Sequence, residues 1–135
     1  MLAQRRLPTR DRQDYLEDQQ CTFCGQVLET QEHLFFGCPP IAELWRRIRD
    51  WLHMRPEMST YRRTLRVFGR HYRGSRMLTK AHHLALSSMI HYVWRARNSS
   101  FFEERQLDIE RILRSVQIHV YRSLGLYSDL RLCQT

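Results

Sequence analysis

The chain has 135 residues, 42% of them hydrophobic and 27% charged, with a formal net charge of +8. That length suits one domain with a modest core, and the composition is that of a folded soluble protein rather than a disordered tail. No apolar run approaches the roughly 20 residues of a membrane span, and the opening MLAQRRLPTRDRQ lacks the continuous apolar stretch of a secretory signal.

The first predicted element is a short helix within residues 1–20, with Thr9 as N-cap and acids in its first turn. A finger follows over residues 21–38. CTFCGQ reads as a turn in which Gly25 takes a left-handed conformation, able to hold a tiny hairpin, and ETQEHLFFGC reads as a short helix or tight turn. Pro39 and Pro40 suit the first turn of a new helix, where missing N–H groups cost least. In IAELWRRIRDWLHM the residues Ile41, Leu44, Trp45, Ile48 and Leu52 form one apolar stripe, and Glu43–Arg47 and Arg46–Asp50 are spaced for i,i+4 pairs. Pro56 ends it.

YRRTLRVFGRHYR is expected to bury Tyr61, Leu65, Phe68 and Tyr72 and to gather Arg62, Arg63, Arg66, Arg70 and Arg73 on the opposite face. A long helix from about Arg76 to Asn98 should turn Leu78, His82, Ala85, Met89, Tyr92 and Val93 inward. The last helix carries Ile109, Ile112, Leu113, Val116, Val120 and Leu124, with Gly125 at its C′ position. The fold class is mostly α: about five helices and a small finger, in one domain whose helical bundle spans 39–125 and whose tail spans 126–135.

Charge is distributed unevenly along this order. Residues 1–40 carry a net −2, 41–76 a net +7, 77–100 a net +3, and 101–135 balance. Of the 22 basic residues only Lys80 is a lysine, and no Asp or Glu lies between Met58 and Phe102. A surface tuned only for solubility would mix the signs. Arg62, Arg63, Arg66, Arg70, Arg73 and Arg76 therefore read as an anion-facing surface. Arg95 and Arg97, near the end of the long helix, add to it, against the plainer reading that they complement the helix dipole.

Cys21, Cys24, His33 and Cys38 follow the spacing Cys-x2-Cys-x8-His-x4-Cys. Four N/S ligands within 18 residues match a structural Zn2+ site at low loop-closure cost, against the alternative of a coincidental buried cluster. A complete Cys3His set leaves no open position for a catalytic water. His53, His71, His82, His83, His91 and His119 read as surface or core histidines. From Gln20 to Pro40 there are two acids and no Arg or Lys, so the finger is a poor phosphate contact. Its Phe23, Phe35 and Phe36 read as a small core beneath the metal.

The blocks RLPTRDR, CTFCGQVLETQEHLFFGCP, LWRRIRDWL and HYVWRARNSSFF occur in the order of the zinc-binding domain of plant LINE-type non-LTR retrotransposon reverse transcriptases, which the chain resembles. Leu7 to Arg12, Cys21 to Pro39, and Trp94 with Arg97 and Asn98 carry the likeness over nearly the whole chain. Met1 falls where the family is still inside its opening helix, and no polymerase, endonuclease or RNase H segment accompanies it. The resemblance thus implies a truncated, non-catalytic piece that associates with RNA or DNA through backbone contacts. The alternative is an interaction subunit of a larger ribonucleoprotein, with a protein partner over the surface left by the missing part. The expected location is nuclear or cytoplasmic, reducing, in preference to mitochondrial, and no membrane contact is expected.

Overall fold

The computed structural model describes Thr9 and residues 19–74, 76–103 and 107–125. The helix expected within 1–20 and the tail 126–135 lie outside them, apart from Thr9, Gln19 and Gln20. A π-helical turn, His33–Gly37, leads into four helices: α1 (Pro39–Trp51), α2 (Tyr61–His71), α3 (Met77–Glu103) and α4 (Ile109–Ser123). Among the described residues the only β-type pairing is one isolated antiparallel bridge, Gln20 with Leu28, at the mouth of the finger. The mostly helical class with an N-terminal finger is therefore what the chain adopts. No described helix is long and apolar enough to cross a membrane.

α1 starts as expected. Cys38 enters extended, and the proline pair occupies the first turn. Ile41, Leu44, Trp45 and Ile48 are buried, and each such side chain contributes about 1.5–3 kcal/mol of burial. Of the two expected i,i+4 pairs, Arg46–Asp50 forms, but Glu43 pairs with Arg46 in place of Arg47, which reaches across to Glu110 on α4.

The loop after α1 is fastened at three points. The Trp45 indole N–H donates to the Met58 carbonyl (2.6 Å), Arg49 Nη1 donates to the Pro56 carbonyl (2.7 Å), and the Arg55 N–H donates to Tyr72 Oη (2.8 Å). Thr60 then caps α2, its hydroxyl accepting from the Arg63 N–H.

The buried face of α2 is Thr64, Val67 and Phe68, and Leu65 is 38% exposed. The expected stripe through Leu65 is thus corrected. Thr64 can be buried because its hydroxyl donates to the Thr60 carbonyl inside its own helix (2.7 Å). Leu65 is left on the flank beside the arginines.

α3 runs past Asn98 to Glu103 and lies along α4. Ala81, His82, Ala85, Met89 and Val93 face inward, whereas Leu78 is 53% exposed, against expectation. Asp108 caps α4 by accepting from the Arg111 N–H, and Gly125 follows it at φ +74°, the left-handed conformation expected there. Ile112, Leu113, Val116 and Val120 bury α4 against α3 and α1.

Candidate metal centre and basic face

The finger is a tight loop folded back on itself. The Cys21 N–H donates to the Val27 carbonyl (2.7 Å), the Glu29 N–H to the Gln19 carbonyl (2.9 Å), and the Gly25 N–H to the Cys21 carbonyl (2.8 Å). Gly25 stands at φ +64°, where a side chain would be strained. The π turn then delivers the other two ligands. Its wide ring closes through the Cys38 N–H and the His33 carbonyl (2.6 Å), which brings residues five apart toward one side. At Gly37 a Cβ would stand 3.3 Å from His33 Nδ1, so glycine there leaves room for the imidazole.

The ligand atoms of Cys21, Cys24, His33 and Cys38 all lie within 4.8 Å of one another. Cys21 Sγ is 3.9 Å from Cys38 Sγ, and Cys24 Sγ is 3.3 Å from His33 Nε2. Tetrahedral zinc with its usual bond lengths sets neighbouring sulfurs about 3.8 Å apart and a sulfur–nitrogen pair about 3.5 Å apart. The donor set fits the metal.

The thiols also need it electrostatically. A hydrogen bond from Cys38, with backbone N–H groups of Cys24 and Phe23, pulls the Cys21 thiol down to about 5. Cys38 moves oppositely: bonded to Cys21 and buried, it holds its proton well above the usual thiol range. Thiolates held this close would repel one another, and a Zn2+ bound by Cys21, Cys24, His33 and Cys38 would offset that charge. Four protein ligands leave no open position, so the centre's chemistry is structural.

Beneath the ligands Phe35 and Phe36 are buried as expected, together with Leu34, whereas Phe23 is only half-buried against them. Phe36 sits edge-on to Trp45 at 6.1 Å, and Phe35 lies 6.5 Å from Trp94 on α3. Two acids of the finger have roles that sequence reasoning missed. Glu32 accepts the Tyr61 N–H at the start of α2 (3.0 Å), and Glu29 is fully buried. One Glu29 oxygen accepts from the Thr22 N–H and hydroxyl (2.9 and 2.6 Å). The other accepts from Arg97 Nη2 and Nε (2.7 and 3.2 Å).

Arg97 is thereby corrected as a phosphate contact. Its side chain is only 2% exposed, paired to Glu29 across 68 residues of chain and set 4.9 Å from the Trp94 ring. The one available signal was its place beside Trp94 and Asn98, in the same family likeness as Glu29. Arg97 belongs to the clasp between finger and α3.

The remaining predicted arginines are on the surface. Arg62, Arg63, Arg66, Arg70, Arg73, Arg76 and Arg95 are all exposed. At 100° per residue the four on α2 fall within about 100° of arc, and none of the seven has an ion pair with a described residue. Arg95 stands apart from α2 in sequence and lines a cleft between α3 and α4 with Asp108 and Arg111.

No curated protein and no solved structure matches the chain. Residues 1–45, a third of the chain, match the family described as zinc-binding in reverse transcriptase, and all four clustered candidate zinc ligands lie within that match.

Proposed function

We propose that the chain is a zinc-clasped helical module that binds RNA or DNA through backbone phosphates and catalyses no reaction of its own. The observation that carries this reading is the face of α2. Arg62, Arg63, Arg66 and Arg70 are exposed and carry no carboxylate partner among the described residues, and Arg73 and Arg76 continue the charge beyond the helix. Arginine donates in a planar fork suited to phosphate and does not titrate. The family match supports the association with nucleic acid, and the finger serves this reading by holding α1, α2 and α3 in place.

The test is binding of single-stranded RNA, structured RNA and duplex DNA across a salt series. Each phosphate contact contributes about 0.7–0.9 to the slope of log K against log salt. Replacing Arg62, Arg66, Arg70 or Arg73 by alanine should lower the slope by roughly one contact each. Binding that ignores salt, or its complete absence, removes this reading.

A second reading is an interaction role in a larger ribonucleoprotein. It is favoured by an open apolar groove at the ends of α1, α3 and α4, where Met77 and Leu78 are each 53% exposed beside Trp51 and Leu124. A monodisperse monomer that unfolds cooperatively would count against it.

A further inference from the structure

Arginines on a convex helix face can track a strand, but some of these arginines also wall a concavity. Between the loop after α1 and the side of α2 lies a cleft of about 290 Å³, into which Arg63, Arg66 and Arg70 project from the helix and Arg55 from the loop. His71 completes the lining, with Val67 among it. The one carboxylate present, Glu57, is already engaged by Arg55 Nε at 2.7 Å.

Three properties distinguish this cleft from the open face. Its lining is rich in donors, since guanidinium groups offer no acceptor, and four arginines against one glutamate leave a concentrated positive charge. Its walls are preformed. The loop carrying Arg55 is held by the Trp45–Met58, Arg49–Pro56 and Arg55–Tyr72 hydrogen bonds, and the start of α2 by Thr60 and Glu32. Its size is at the lower limit of small-molecule pockets, room for one phosphoryl group and an adjoining sugar.

We propose that this cleft seats a terminal phosphate monoester of a nucleic-acid strand. The inference rests on the nucleic-acid reading above and adds Arg55 to it as a binding residue. A monoester carries about −1.5 to −2 at neutral pH and three acceptor oxygens, against one charge for an internal phosphodiester. Convergent guanidinium groups favour the more highly charged, fork-accepting group. A chain end brings its terminal phosphate to the cleft with strand on one side only, whereas an internal phosphate must accommodate strand on both sides.

The experiment compares one short oligonucleotide, as RNA and as DNA, bearing a 5′-phosphate, a 3′-phosphate or hydroxyls at both ends, by fluorescence anisotropy with the full chain. One phosphorylated form should bind about tenfold more tightly than the hydroxyl form. Arg55→Ala should erase that gap, whereas Arg73→Ala, outside the cleft, should weaken all three forms alike. Glu57→Gln should widen the gap, a gain that misfolding would not produce. Equal affinity of the three forms with the salt slope intact overturns the cleft assignment and leaves the arginine face standing. Absence of binding by all forms at low salt removes both. Competition by a free nucleoside monophosphate as strong as that by the phosphorylated strand would assign the cleft to the free nucleotide and overturn the strand end.

Discussion

Arg97 at the finger and Arg66 on α2 carry the same guanidinium into opposite surroundings. Arg97 is enclosed, and a carboxylate from a distant part of the chain meets it with two hydrogen bonds. Arg66 stands exposed in an arginine cluster and forms no ion pair with a described residue. The finger uses its acids inward, Glu29 on α3 and Glu32 on the first turn of α2, while the helix it helps to fix has no acid of its own. In this molecule the location of the carboxylates decides what an arginine does. Paired and dry, it is a structural bolt; unpaired and wet, it is free for an external anion.

The largest effect should come from the metal that holds the finger. Cys38→Ser removes one ligand from a buried set whose apparent zinc free energy in comparable sites is about 10–16 kcal/mol, more than most domains have in total stability. Because Leu34, Phe35 and Phe36 form one continuous core with Ile41, Trp45 and Val93, the loss should not stay local. Near-ultraviolet circular dichroism should collapse on mutation or on adding a chelator, and the melting transition should broaden or vanish. A wild-type melt from the serine variant would separate the finger from the helices and undo the clasp described above.

Next comes the buried ion pair. Arg97→Ala takes the cation away from a fully enclosed Glu29 carboxylate, which should cost about 3–5 kcal/mol. Arg66→Ala should change stability by less than about 0.5 kcal/mol. Urea denaturation of the two variants measures the contrast directly. Equal costs would mean that the distinction between bolt and surface is wrong.

Features set by neighbouring residues are legible in the sequence, and those set by long-range contacts are not. The cysteine–histidine spacing, the proline pair, Gly25 and Gly125 act within a few residues, so the finger's ligands, the start of α1 and two left-handed turns were readable. Periodicity placed α1 and α4 correctly because their apolar stripes are unambiguous. It failed on α2 because Thr64 is polar in composition yet self-satisfied within the helix, which lets it take an inner position in preference to Leu65. Arg97 was misplaced for a different reason. Glu29 lies 68 residues away, and no rule of sequence spacing connects them. The arginine cleft was invisible likewise, since it needs a loop pinned by Trp45, Arg49 and Tyr72 before Arg55 faces α2.

The smallest effect on stability is also the sharpest test of the comparison, because it would give a surface arginine the partner that Arg97 already has. Arg62→Glu places a carboxylate four residues before Arg66 in the first turn of α2, favourable both for an i,i+4 pair and for the helix dipole. Stability should therefore hold or rise by about 0.3–0.5 kcal/mol. Binding should behave oppositely. One cation is lost, a second is neutralised and a repelling charge is added, so the salt slope should drop by roughly two contacts where Arg62→Ala drops it by one. If the glutamate variant binds like the alanine variant, the free state of Arg66 has no bearing on binding, and pairing cannot be what separates the two ends of this molecule.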